Sequence, residues 1–102
     1  MPVYLIVEAW EIKDEKKYAE YGRRVPGLIA AFGGRYLARG GKVEVLSGPR
    51  RPRRVVVVEF PSREALRAWW NSAEYREIAH LREESASISA VVVEGCGGQW
   101  PC

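Results

Sequence analysis

Aspartate, asparagine, glutamine, histidine and methionine occur once each among the 102 residues, and cysteine only twice. With one histidine (His80) and one aspartate (Asp14), the chain has no candidate Ser–His–Asp set, and Asp14 sits where a helix cap belongs. A zinc site needs four ligands; Cys96 and Cys102, both in the tail GCGGQWPC, could be joined only by His80, so neither a metal nor a cofactor is expected. No apolar run approaches the ~20 residues of a membrane span. The N-terminal stretch MPVYLIVEAWEIKDE lacks a basic n-region and meets acid early, which reads as a first strand and not as a signal peptide. No membrane partner is expected, and the cytoplasm is the default location.

An excess of one charge is also missing, since the net charge is only +3. Arg50, Arg51, Arg53 and Arg54 form the one basic cluster, in the loop SGPRRPRR, but no aromatic residue is interleaved to stack bases, so no nucleic-acid partner is expected. Scarce amides beside twelve Arg and twelve Glu, against four Lys and one Asp, fit a heat-adapted protein. A GC-rich genome produces the same arginine bias, and both readings stand.

The residues that are present outline one domain. Val3 to Glu11 alternates, with Val3, Leu5, Val7 and Ala9 on one side and Tyr4, Ile6, Glu8 and Trp10 on the other. Both sides are largely apolar, as in a strand covered on both faces. Asp14 then caps a helix whose stripe is Tyr18, Tyr21, Val25, Leu28, Ile29 and Phe32, with a kink expected at Pro26. Gly33-Gly34 stops that helix. Phosphate-binding glycines lie between a strand and a helix N-terminus, so this pair turns the chain and cradles no phosphate. Arg35 to Arg39 alternates as a strand, with Arg35, Leu37 and Arg39 on one side and Tyr36 and Ala38 on the other. Gly40-Gly41 allows a bulge or tight turn before Lys42 to Leu46.

Arg54 to Phe60 carries the strongest strand signal. Pro61 stops it, and Ser62 caps a short helix containing Leu66, Trp69 and Trp70. Asn71 or Ser72 starts a further helix, Asn71 and Glu74 standing at capping-box spacing. Tyr75, Ile78, Ala79, Arg82 and Ala86 share one of its faces, and Ser87 to Glu94 is the last strand. This order, β-α-β-β-α-β with the second helix split, predicts an α+β ferredoxin-like fold with a four-stranded antiparallel sheet and helices on one face. A domain of this size buries only about two-thirds of its unfolded surface. The strands nonetheless look apolar on both faces, so a second copy of the chain is the expected cover for the free face.

Tyr21, the run Phe32-Gly33-Gly34-Arg35-Tyr36-Leu37, the run Glu59-Phe60-Pro61-Ser62, and Ser72, Glu74 and Tyr75 with Arg82 downstream resemble the bacterial family called domain of unknown function 1330. The resemblance covers about Val3 to Gly95. It implies a dimeric α/β barrel, in which one protomer's sheet packs on another's, and it implies no established reaction. Members of that superfamily include antibiotic-synthesis monooxygenases and muconolactone isomerases, a breadth that warns against inferring activity from fold. The expected organisation is a domain over 1–95 and a flexible tail over 96–102, with two accessible thiols or a labile disulfide.

A pocket between sheet and helices, or at the subunit seam, is the natural site. Arg82 shares an inward face with Tyr75 and Ile78, and a buried arginine needs an acidic or anionic partner. It therefore pairs with Glu59 or caps a carbonyl, or else clamps a small carboxylate with help from Arg35 or Arg39. The ligand-binding candidates are Arg82, Tyr75, Arg35, Tyr36, Tyr21 and Trp69, and no catalytic residue is singled out. Tyr18, Tyr21, Tyr36 and Tyr75 are core aromatics or the lining of a cavity. Trp69 and Trp70 point about 100° apart on a helix, so one of them meets the pocket mouth or a subunit contact. His80, flanked by Glu77, Glu83 and Glu84, reads as a surface histidine. The function expected is binding of a small carboxylate or aromatic metabolite; the alternative is a cofactor-independent enzyme of monooxygenase or isomerase type.

Overall fold

Alternating apolar residues from Val3 onward build strand β1 (Val3–Ile12) in the computed structural model of the protein, which describes residues 1–97. Helix α1 (Glu15–Ala31) follows, then β2 (Arg35–Arg39), β3 (Arg54–Phe60), α2 (Arg63–Trp70), α3 (Ala73–Ser85) and β4 (Ala86–Glu94). The four strands form one antiparallel sheet in the order β2-β3-β1-β4. This is the expected ferredoxin-like arrangement, with the two most apolar strands in the centre.

Side-chain oxygens start each helix. Asp14 accepts from the Lys17 backbone N–H at 3.0 Å, and Ser62 from that of Ala65 at 3.1 Å. The cap of α3 is Ser72, whose hydroxyl accepts from the Tyr75 N–H at 3.1 Å. The capping box expected from Asn71 and Glu74 does not form, because Asn71 is the C-terminal cap of α2. At the end of α1, Gly33 takes a positive φ of 85°. Its N–H bonds the Ala30 carbonyl at 3.0 Å, and that of Gly34 bonds the Ile29 carbonyl at 2.9 Å. Those two bonds make the Schellman closure of a helix terminus. A Cβ on Gly34 would stand 2.7 Å from an Ile29 methyl and 2.8 Å from the Phe60 ring, so this position needs glycine for close approach to the core.

Val3, Leu5, Val58 and Phe60 from one face of the sheet pack against Val25 and Ile29 of α1, Leu66 and Trp69 of α2, and Tyr75, Ile78 and Ala79 of α3. All three helices therefore lie on the same side, here called the inner face. The molecule is 17 Å thick along its shortest axis, room for a sheet and one layer of helices. On the outer face Tyr4, Ile6, Glu8 and Trp10 alternate with the core residues of β1, and cross-strand pairing sets Ile6 beside Val57 and Val91. Val91 and Val93 are 55% and 49% exposed.

One expectation is corrected. A register shift between Tyr36 and Ala38 pairs Tyr36 with Val58, and Arg39 with Val56. Because antiparallel partners share a face, this bulge turns both Tyr36 and Arg39 inward, while Arg35, paired with Glu59, stays outside. The simple alternation that grouped Arg35 with Arg39 fails at Leu37. Lys42 to Leu46 adds no strand, and Leu46 is 89% exposed. Of the two readings of the tail, Cys96 fits the disulfide and not the accessible thiol, being half-buried and disulfide-bonded. The remainder of the expected flexible tail, 98–102, which includes Cys102, lies outside the described residues.

Candidate functional site

Tyr75 is the fully buried polar centre of the inner layer. It projects from the first turn of α3, where the Ser72 cap fixes its backbone. Its hydroxyl lies 2.8 Å from that of Tyr21 on α1. Arg82, two turns further along α3, reaches back so that its Nε donates to the Tyr75 oxygen at 3.2 Å. An arginine N–H only donates, so Tyr75 must accept there. The two phenols share a single hydrogen bond, which uses one of their two protons; the other is left to be donated elsewhere. Burial, then the adjoining Tyr75 oxygen, pushes the Tyr21 hydroxyl pKa well up. Burial also raises that of Tyr36, against the pull of Arg39 and Arg54. Near neutral pH these phenols are therefore neutral hydrogen-bond donors and not bases.

Arg82 is largely but not fully buried, with 12% of its side chain exposed, and Glu59 is not its partner. Glu59 parallels Tyr4 on the outer face and holds Arg35 at 2.7 Å. The nearest carboxylate to Arg82 is that of Glu83 at 3.8 Å, and the guanidinium lies over the Trp70 ring, 5.3 Å from its centroid. Trp69 is 1% exposed and packs on Tyr75, with centroids 4.4 Å apart. Its indole N–H is sealed from solvent without an acceptor.

Pro26 contributes to the site from a distance. It lies within α1, which runs unbroken through it. Having no N–H, Pro26 cannot bond the carbonyl four residues earlier, that of Gly22. The Arg39 guanidinium donates to that carbonyl instead, and the same group lies 4.9 Å from the Tyr36 ring centroid. Nearby, Arg54 extends over the Tyr18 ring at 5.7 Å.

These side chains surround a cavity of ≈ 60 Å³ between the sheet and helices α1 and α3. On the same measure one water needs about 10–15 Å³, so the space admits a few waters or one small flat ring. Five of the six sequence candidates line it: Arg82, Tyr75, Tyr36, Tyr21 and Trp69. The sixth, Arg35, is outside, paired with Glu59. Arg39, Arg54 and Tyr18 line it as well, and no Asp, Glu or His does. Strand parity could have found Arg54, since it falls in step with the inward Val56, Val58 and Phe60. His80 is exposed and outside the cavity. A wider hollow of ≈ 260 Å³ opens between α2 and β4, where Arg63 is engaged by Glu94 at 2.9 Å. Among the described residues no group of three His, Cys, Asp or Glu side chains is placed to hold a metal ion, and no helix is long and apolar enough to cross a membrane.

The model of the family called "domain of unknown function (DUF1330)" matches residues 2–96. This chain belongs to the DUF1330 family. No curated protein matches it in sequence. The RPA0582 protein of Rhodopseudomonas palustris, of unknown function, has the same fold, with a TM-score of 0.79 for its methylated form; the two are 19% identical over 96% of this chain and 84% of that one. A dimeric ferredoxin-like protein of unknown function from Jannaschia sp. CCS1 superposes with a TM-score of 0.73 at 17% identity, covering 93% of this chain and all of the other. A Nitrosomonas europaea protein provisionally assigned as an antibiotic biosynthesis monooxygenase superposes at 0.59 with 20% identity, over 94% and 99% of the respective chains. At such identities the likeness establishes the fold of this DUF1330 chain and no activity.

Proposed function

We propose that the protein is a homodimer that binds a small carboxylate or aromatic metabolite in the cavity between sheet and helices. One observation carries the binding half of this reading: the cavity is walled by aromatic rings and three arginines, with no acid among the lining residues. Apolar walls with a few convergent polar groups are what small-molecule sites share. Arg82 has the Glu83 carboxylate at 3.8 Å, but among the described residues Arg39 and Arg54 form no ion pair, and cations in that state favour an anionic guest. Self-association is supported by the exposed Val91 and Val93 of the outer face and by the dimeric state of the Jannaschia neighbour.

The test is native mass spectrometry of gently purified protein, followed by a thermal-shift screen of small aromatic acids. A co-purified acid, or stabilisation by an acid at millimolar concentration, is expected. Bound ligand at a hundred times its dissociation constant stabilises by about 2.7 kcal/mol. A screen without a hit and a protein without a co-purified ligand together contradict the reading.

A second reading, a cofactor-independent enzyme of monooxygenase or isomerase type, is supported by the spare phenolic proton of the Tyr21–Tyr75 pair. That proton would polarise a substrate carbonyl. Turnover of any acid found in the screen, lost in Tyr21→Phe while binding persists, separates the enzyme from the binding protein.

A further inference from the structure

Three arginines border the cavity, and they are not equivalent. Arg82 is committed to the Tyr75 hydroxyl, the Trp70 ring and, at 3.8 Å, the Glu83 carboxylate. Arg39 is committed to the Gly22 carbonyl and the Tyr36 ring. Among the described residues Arg54 makes no ion pair, and its Nε is sealed from solvent with no acceptor. Its guanidinium lies near the face of Tyr18, 5.7 Å from the ring centroid. A buried donor without an acceptor is unfavourable until something supplies one. Trp69 Nε1 is in the same condition on the same cavity, but it carries no charge.

Position agrees with this reading. Arg54 pairs with Ala9 across the sheet, and Ala9 with Ile88, while Val56 and Val58 continue the cavity floor. At about 3.3 Å per residue, Arg54 lies roughly 13 Å from Val58 along the strand. A single ring resting on this floor beneath Tyr21 and Tyr75 would point an acidic group along the strand toward the long Arg54 side chain. Arg39 pairs with Val56, two residues from Arg54 on the same face of β3, so the two arginines are diagonal neighbours at that end.

We propose that the ligand is an aryl carboxylate whose carboxylate pairs with Arg54, Arg39 flanking it, while Arg82 positions Tyr75 and leaves the ligand's charge alone. This rests on the reading of the cavity as a binding site, and it moves the anion clamp away from the residue that the sequence favoured. Charge-assisted, forked arginine–carboxylate pairing is about twice as strong as neutral hydrogen bonding, so an acid should outcompete its own amide.

The experiment is isothermal titration of the full chain with benzoate and 4-hydroxybenzoate, each beside its primary amide. The wild-type protein is expected to prefer the acid at least tenfold. Arg54→Gln should reduce that preference to within twofold while amide binding is retained. Arg82→Met should lower the melting temperature and leave the preference in place. Should Arg54→Gln fail to fold by circular dichroism, Arg54→Lys keeps a charge but loses the fork, and should cut the preference at least threefold. A preference that survives in the Arg54 variant and disappears in Arg82→Met overturns the proposal while the binding site stands. Equal binding of acid and amide by the wild-type protein does the same. Binding of none of the four at millimolar concentration overturns both the site and the proposal.

Discussion

The two faces of one sheet carry different chemistry. On the inner face, Val3, Leu5, Val58 and Phe60 disappear beneath three helices, and the arginines there have rings and hydroxyls for neighbours. On the outer face, the charges are matched in pairs, Arg35 with Glu59 at 2.7 Å and Arg50 with Glu8 at 3.1 Å, and Val91 and Val93 remain exposed. Arg39 and Arg54, without an ion pair among the described residues, favour a small anion in the cavity. Matched charges around an apolar strip favour a surface of the same composition, which a second copy would supply. One strand serves both faces because successive side chains alternate, so Val58 and Glu59 are adjacent in sequence and opposite in role.

The largest effect that separates the faces is the loss of a core aromatic. Trp69→Ala is expected to cost about 3–5 kcal/mol in urea unfolding, because Trp69 contacts both Phe60 and Tyr75. Val93→Ala on the outer face should cost the fold under about 0.5 kcal/mol while weakening self-association. Similar unfolding costs for the two variants would erase the distinction between the faces.

A smaller effect tests how tightly the inner layer closes. Gly34→Ala should cost about 1–3 kcal/mol by overpacking, since its Cβ would meet Ile29 and Phe60. Gly27→Ala, where a new Cβ meets nothing within 4 Å, should be neutral or gain up to about 1 kcal/mol, as replacement of a helical glycine does. A reversed order in melting temperature contradicts the packing described.

Much of this was readable from the sequence, for definable reasons. Strong periodicity and side-chain caps at Asp14 and Ser62 are local signals, so the order of elements and the span Arg54–Phe60 emerge before any coordinates. The bulge at Leu37 is a tertiary event, set by the register with β3, and alternation alone therefore sends Arg39 to the wrong face. The expected Arg82–Glu59 pair failed differently. Glu59 lies between the inward Val58 and Phe60, and parity already placed it outside. Arg54 was grouped with its basic loop neighbours although it shares inward parity with Val56. Contact between Arg39 and Gly22 could not be read at all, because it depends on a carbonyl freed by Pro26 meeting a strand that follows the helix.

The smallest effects come from pH, and the two faces differ in where they respond. A hydrogen bond from Arg35 holds the Glu59 carboxyl below its ordinary pKa. A carboxyl with a depressed folded pKa contributes stability above its unfolded pKa, about 4.3, and that contribution disappears as pH falls through the folded value. Acid melting of Glu59→Gln should therefore be slightly less pH-dependent than that of the wild-type protein below about pH 4.5. On the inner face the raised Tyr21 hydroxyl stays protonated through mild alkali, so affinity for an aryl acid should be flat from about pH 6 to 9. A drop in affinity centred within that range would mean that a group other than these phenols controls the site.

The division of labour between the faces is tested most directly by sedimentation equilibrium of the full chain at micromolar concentration, wild-type beside Val57→Glu. The expected result is a wild-type mass near twice the 11.5 kDa of one chain, a Val57→Glu mass near that of one chain, and an unchanged affinity for the aryl acid in the variant. A wild-type protein that sediments as a single chain would contradict the account.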